Sequence, residues 1–129
     1  MKLKVDNTGL CVLYSAAMLF NVEPADILRW LDLELPRALH IQEVQNFAYS
    51  RDRILGMIER RPCDHTGHNY GDHLGLIMTI INEHSGLLMT DNHCCAFEKG
   101  TIYDPKGYIY DVSNILAGVE EIWILSRLK

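Results

Sequence analysis

The stretch 86–112, GLLMTDNHCCAFEKGTIYDPKGYIYDV, decides the fold of the second half of this chain. Polar and apolar residues nearly alternate along it, and turn-forming residues interrupt the alternation at positions 91–92, 99–100 and 105–107. Alternation with a period of two, broken by Gly, Pro, Asn and Asp, is typical of short antiparallel strands joined by tight turns. The stretch therefore predicts a meander of three such strands.

Two polar residues of this meander, His93 and Asp104, are predicted to be spatial neighbours. His93 begins one strand, and Asp104 ends the next strand, just before Pro105. A carboxylate beside a histidine fixes the imidazole tautomer, so that the other ring nitrogen can take a proton from a nucleophile. We therefore assign His93 as general base and acid and Asp104 as the residue that orients it. The alternatives are a core histidine and an aspartate that only forms the turn.

Cys11 is the nucleophile that this pair of residues requires. Residues 10–20, LCVLYSAAMLF, are apolar almost throughout, which predicts a buried helix. Thr8 or Asn7 can cap this helix, so Cys11 is expected in its first turn. The positive end of the helix dipole lowers the pKa of a thiol at that position. The alternative is that Cys11 packs as a small apolar residue.

Length, composition and charge restrict the class of protein. At 129 residues with 48% hydrophobic content, the chain is predicted to form one domain, 1–129, around a single core. A formal net charge of -5 with scattered Lys and Arg argues against binding to nucleic acid. No apolar run approaches the roughly 20 residues that cross a bilayer, and no signal peptide is recognisable. We therefore expect no membrane partner and a cytoplasmic location, where the cysteines are thiols.

The remaining patterns place helices early in the chain and strands late. They predict a helix that starts at Glu23 and Pro24, a helix over 40–51, a strand over 54–60, a helix over 73–84 that Gly86 ends, a short helix over 112–118 that Ser113 caps, and a strand over 119–128. This order predicts an α+β fold in which N-terminal helices pack on a C-terminal antiparallel sheet.

A polar loop over 63–73 carries Cys63, His65, His68 and His73. One thiolate and three imidazoles can in principle bind zinc, which takes four such ligands. The spacing of the four residues fits none of the common paired-ligand patterns. The loop is therefore interpreted as a surface or substrate-facing loop, and we predict no metal and no cofactor.

The chain resembles the papain-like cysteine peptidase superfamily. The resemblance rests on Cys11 with the small and apolar residues after it (CVLYSAAML), and on His93 in a strand that leads to a hairpin and Asp104-Pro (HCCAFEKGTIYDP). It is most like the small bacteriocin-leader-peptidase-like domains of bacteria and phages, and the segment HIQEVQNFAYSRD is similar to their second helical unit. The resemblance covers nearly the whole chain. It implies a papain-like fold and a small cysteine hydrolase that cleaves an amide, peptide or isopeptide bond of a peptide or protein substrate through an acyl-enzyme.

Two positions depart from the pattern of this family. The family has a Gln about six residues before the Cys, and its side-chain amide helps to bind the oxyanion. This chain has Val5 there, and Asn7 is the nearby amide, which we assign as the oxyanion donor. Val12 stands where relatives often have Gly or Trp, which affects the shape of the substrate cleft. The alternative function is therefore a weak or inactive papain-like protein that binds a peptide or protein partner; the sequence indicates no oligomeric state.

Overall fold

The computed structural model describes residues 1–60, 71–90, 92–114 and 119–128. Within these ranges the helices are α1 (Cys11–Phe20), α2 (Pro24–Trp30), α3 (Ile41–Ser50) and α4 (Gly71–Glu83). The strands are β1 (Arg53–Arg60), β2 (Ser85–Thr90), β3 (His93–Glu98), β4 (Thr101–Asp104), β5 (Tyr108–Asp111) and β6 (Val119–Arg127). A 3-10 helix, Val112–Asn114, follows β5. The predicted α+β class is confirmed.

All six strands lie in one antiparallel sheet with the order β1-β6-β2-β3-β4-β5. The meander contains four of these strands, so the prediction of three is wrong. Its three turns separate four runs, and the last turn reverses the chain at Gly107, where φ is 111°. Tyr108 consequently pairs with Asp104, and β5 becomes an edge of the sheet.

Helices cover both faces of the sheet and create two cores. The first core combines residues of α1, α2 and α3 with one face of the sheet: Leu13, Ala16, Ala17, Met18, Ile27, Val44, Phe47, Ala48, Leu55, Leu87, Cys94 and Ala96. The second combines α4 with the opposite face: Ile77, Ile80, Ile81, Leu88, Cys95, Phe97, Ile102, Val119 and Ile122. Adjacent residues of a strand point to opposite faces, so β3 contributes Cys94 to one core and Cys95 to the other. The N-terminal helices therefore pack on one face of the sheet, as predicted, and α4 forms a second helical layer on the other face.

The sheet also contains a strand from the middle of the chain. β1 precedes α4 in sequence and pairs with β6 at the edge opposite β5. The sheet is therefore not wholly C-terminal.

A sharp bend separates α1 from α2. Asn21 has a φ of 55°, and this left-handed conformation ends α1. Pro24 occupies the first position of α2, where its missing N–H leaves no intrahelical hydrogen bond unmade. Within the described ranges no single helix is long and apolar enough to span a membrane. Only α1 and α2 taken together pass that test of length and composition, and they are bent by 99°.

Two predicted caps differ from the structure. α4 begins at Gly71 and ends at Glu83, before the expected stop at Gly86. Ser113 does not cap the last short helix; its N–H and hydroxyl instead donate to the carboxylate of Asp111, which precedes the 3-10 helix. The remainder of that predicted helix, 115–118, lies outside the described residues.

Gly86 lies inside β2, between β3 and β6. A Cβ atom at this position would lie 1.8 Å from the carbonyl oxygen of Trp123, so any larger residue would push β6 away. Gly86 is therefore required by the close approach of two strands rather than by the end of a helix.

Candidate active site

Cys11 is the first residue of α1, at the end of the polar lead-in. The predicted cap by Thr8 or Asn7 is wrong, because Leu10 occupies the N-cap position and no side chain caps the helix. Thr8 instead donates both its N–H and its hydroxyl to Asp6 Oδ1. The first N–H groups of an uncapped helix remain available, and a main-chain hydrogen bond of Val12 is the smallest of the causes that lower the pKa of Cys11.

The start of α1 is joined to the start of β3 by two polar contacts on the main chain of Cys94. A main-chain hydrogen bond of Cys94 lowers the pKa of the Cys11 thiol. The hydroxyl of Ser15, one turn further along α1, donates to the carbonyl oxygen of Cys94 at 3.0 Å. Both contacts fall before Ala96, where the pairing of β3 with β4 begins. The helix therefore takes part of the hydrogen bonding of a strand edge that β4 leaves open.

His93 and Asp104 are hydrogen-bonded to each other. His93 Nε2 lies 2.8 Å from Asp104 Oδ1, and both side chains are largely buried, with 19% and 12% of their surfaces exposed. Because a carboxylate oxygen accepts, Nε2 carries the proton, and Nδ1 is the nitrogen left to exchange a proton with a thiol. Asp104 Oδ1 also accepts from the N–H of Lys106 at 2.9 Å, so the β4–β5 turn fixes the carboxylate.

Cys11 and His93 favour each other's charged form. The hydrogen bond to the His93 ring is the largest cause of a lowered pKa at Cys11; burial opposes it, and the main-chain hydrogen bond of Cys94 adds to it. The pKa of His93 is raised to about 11, most of all by Cys11, then by Cys95 and, against the effect of burial, by Asp104. Each group therefore stabilises the charged form of the other, which is the direction that activates a thiol.

Cys95 also contacts the His93 ring, from the face of the sheet that α4 covers. It is 1% exposed, and burial raises the pKa of its thiol, although its hydrogen bond to His93 acts in the opposite direction. It also contacts the hydroxyl of Tyr110, whose pKa is raised, mainly by burial. The Cys95 thiol is therefore harder to ionise than an ordinary thiol, in contrast to Cys11.

Three of these side chains are close enough to share a metal ion. His93, Cys95 and Asp104 each offer a ligand atom, and the three atoms lie within 4.8 Å of one another. This proximity has another explanation. His93 Nε2 is hydrogen-bonded to Asp104 Oδ1, and the buried Cys95 thiol packs beside the ring. We therefore interpret the cluster as part of the Cys11–His93 site rather than as a metal centre.

The predicted oxyanion donor, Asn7, is exposed in the lead-in to α1. None of the described residues forms a hydrogen bond with its side-chain amide, so its role stays a prediction. Val5, at the position of the family's Gln, is 51% exposed. Of the polar loop, Cys63, His65 and His68 lie outside the described residues, and His73 belongs to α4. The zinc alternative and the prediction of a surface loop therefore concern residues outside the described part.

Sequence reasoning missed two side chains of this site. Ser15 and Tyr14 carry the two hydroxyl groups of an otherwise apolar helical segment. The position of Ser15, four residues after Cys11, could have indicated that it belongs to the site. Cys95 lies two residues after His93 and therefore on the same side of the strand, and this spacing could have indicated its contact with the imidazole.

Comparison with models of protein families, with curated proteins and with solved structures finds no match. The likeness to papain-like peptidases therefore rests on the residues and contacts of this chain alone.

Proposed function

We propose that this protein is a small papain-like cysteine hydrolase that cleaves an amide, peptide or isopeptide bond in a peptide or protein substrate. The observation that carries the proposal is the arrangement around His93: its ring contacts Cys11, and its Nε2 donates to Asp104. Nucleophile, base and orienting carboxylate in this order are the arrangement that activates a thiol for attack on a carbonyl carbon.

The reaction would proceed through two transfers of the acyl group. The Cys11 thiolate attacks the carbonyl carbon, and the His93 imidazolium gives its proton to the leaving nitrogen as the C–N bond breaks, which leaves an acyl-enzyme. His93, now neutral, takes a proton from water. The hydroxide equivalent displaces the Cys11 sulfur, and the acid product leaves as the thiolate–imidazolium pair is restored. Asp104 holds the ring throughout by accepting from Nε2.

The oxyanion of the tetrahedral intermediate needs hydrogen-bond donors near Cys11. The uncapped first turn of α1 offers main-chain N–H groups at this position. The side-chain amide that the family supplies is replaced by Val5. Loss of one such donor costs about a hundredfold or more in rate, so we expect a slow enzyme.

This same departure supports the second candidate, a binding protein that keeps the cleft and has lost most of its catalysis. In that case the cleft holds a peptide or protein partner without cleaving it. For either function we propose a cytoplasmic location, since Cys11, Cys94 and Cys95 are free thiols.

The experiment is to incubate the purified protein with a proteome-derived peptide library and to identify new amino termini by mass spectrometry, with Cys11→Ala as the matched control. A hydrolase gives cleavage products that the control lacks, and a thioester-activated peptide gives an acyl adduct on Cys11. A protein whose Cys11 is activated, but which gives neither products nor an adduct and still retains library peptides, contradicts the hydrolase and supports the binding protein.

A further inference from the structure

We propose that Ser15 is a positioning residue, which holds the main chain of Cys94 so that its hydrogen bond with Cys11 is maintained. This inference rests on the proposed function, because it names how the nucleophile of that site is kept in place. Ser15 touches no reacting atom; it acts through Cys94.

The first observation is the burial of Ser15 in an apolar environment. Ser15 is 0% exposed, and its buried neighbours on α1, Ala16, Ala17 and Met18, are apolar. A buried hydroxyl costs free energy unless it forms a hydrogen bond, and an alanine would fit this helix as well as its two alanine neighbours do. The hydroxyl at this position therefore needs a reason besides packing.

The second observation is the partner that the hydroxyl has. Ser15 Oγ donates to the carbonyl oxygen of Cys94 at 3.0 Å, across the interface between α1 and β3. A main-chain hydrogen bond of the same residue, Cys94, lowers the pKa of the Cys11 thiol. Cys11 and Ser15 are four residues apart and so lie on one face of the helix, one turn apart. Ser15 and Cys11 of α1 thus both form hydrogen bonds with the main chain of Cys94 in β3.

The third observation is that β4 does not provide these hydrogen bonds. Its pairing with β3 begins at Ala96, so Cys94 lies beyond the end of that ladder. Without Ser15 the carbonyl of Cys94 would be unpaired inside the protein, and the start of β3 could move relative to α1. Such a movement would lengthen the hydrogen bond to Cys11 and would also displace the adjacent His93 ring.

The test compares Ser15→Ala with the parent protein and with Ser50→Ala. Ser50 is a matched control, since its hydroxyl also donates to a main-chain carbonyl, that of Phe47 at 2.6 Å, but on α3. The readouts are the pH profile of Cys11 alkylation by iodoacetamide, resolved by mass spectrometry, and the thermal midpoint of each variant. A purely structural role would lower the midpoint without moving the profile.

We expect Ser15→Ala to displace the Cys11 profile to higher pH and to slow its alkylation in the acid range by about three- to tenfold, as expected for the loss of one hydrogen bond. Ser50→Ala should leave the profile unchanged. Ser15→Thr keeps the hydroxyl and should retain the parent profile even if it lowers the midpoint. If Ser15→Ala does not fold, the Cys11 profile of Ser15→Thr still tests the role of Ser15.

An unchanged profile in a folded Ser15→Ala variant, or a displaced profile in Ser15→Thr, overturns the role of Ser15. These results differ from failure of the proposed function. In that case the parent and Cys11→Ala leave the peptide library alike, while the Ser15 comparison still reports on the Cys11 profile. Only a parent whose Cys11 alkylates like an ordinary thiol removes both proposals.

Discussion

The His93 ring contacts two thiols with opposite properties. Cys11 lies at the uncapped start of α1, partly exposed, and its hydrogen bonds to His93 and to the main chain lower its pKa. Cys95 is enclosed between the sheet and α4, and burial raises its pKa. Proximity to a histidine therefore does not by itself lower the pKa of a thiol; partial exposure and main-chain hydrogen bonds distinguish Cys11 from Cys95.

This difference follows from where each cysteine lies on its secondary-structure element. Cys95 lies within a strand, so alternation directs its side chain into the second core. Cys11 lies at a helix end, where the main chain leaves donors unsatisfied and solvent can reach the sulfur.

The largest expected effect is the loss of the nucleophile. Cys11→Ala should reduce peptide hydrolysis at least about a thousandfold, because the acyl-enzyme can no longer form. The rate of product release from a cleaved library peptide measures this loss. Cys95→Ala is the matched variant, because Cys95 is also a thiol that contacts the His93 ring. If both variants lost activity equally, the distinction between the two thiols would be wrong.

Substitution of Asp104 should have the next largest effect, and its size should depend on the replacement. Asp104→Ala removes the acceptor for both His93 Nε2 and the N–H of Lys106, and we expect about a hundredfold slower hydrolysis from the misplaced ring. Asp104→Asn keeps a carbonyl oxygen that can accept both hydrogen bonds, and we expect a loss within about tenfold. Steady-state kinetics of the two variants checks this order. A larger loss in the Asn variant would indicate that the negative charge, rather than the orientation of the ring, is what matters.

The stability that Cys11 and His93 give each other should depend on pH. The lowered pKa of Cys11 means that its contribution is lost as the pH falls through that value. His93 has its pKa raised to about 11, so its contribution is fully present below the ordinary histidine value of about 6.5 and is lost as the pH rises through about 11. The two titrations are coupled, because the pKa of each group is shifted mainly by the other group.

The free energy of unfolding, measured by denaturant titration, should therefore differ most between the parent and Cys11→Ala at intermediate pH. The difference should shrink towards acid pH, where the thiolate is protonated, and towards strongly alkaline pH, where the imidazole is neutral. The same comparison with Cys95→Ala should show no such maximum. A difference for Cys11→Ala that does not vary with pH would contradict the ion pair.

The smallest effect on activity is expected at Cys95. Cys95→Ala should lower the free energy of unfolding by about 1 kcal/mol, since a buried sulfur is removed from the second core, and should change hydrolysis by less than about threefold. Cys94→Ala, in the first core, is the matched control for stability. A much larger loss of activity in Cys95→Ala would show that the Cys95 thiol takes part in orienting the His93 ring.

Several features of the fold and site could be predicted because local patterns determine them. Alternation and turn residues indicated that His93 and Asp104 face each other, and the two side chains are hydrogen-bonded. The apolar run after Gly9 indicated a helix that begins near Cys11, and α1 begins at that residue. The number of strands was wrong because three turns separate four runs, and each run, even the short Tyr108–Asp111, forms a strand.

Other features depend on contacts between distant parts of the chain, which a pattern does not reveal. The cap of α1 was wrong because Asp6 takes both donors of Thr8. Gly86 was interpreted through the helix before it, whereas its role comes from Trp123 on β6. The hydrogen bond from Ser15 to Cys94 depends on how far β4 extends along β3, which neither sequence segment encodes by itself.

Site-resolved alkylation measures whether His93 activates Cys11. The reaction of each cysteine with iodoacetamide is followed by mass spectrometry from acid to neutral pH, in the parent and in His93→Ala. We predict that Cys11 of the parent reacts well below the pH range of an ordinary thiol, whose pKa is about 8.5, that His93→Ala moves this profile upward, and that Cys95 stays unreactive in the folded parent. A Cys11 that is inert, or that titrates like an ordinary thiol in both proteins, would contradict the account.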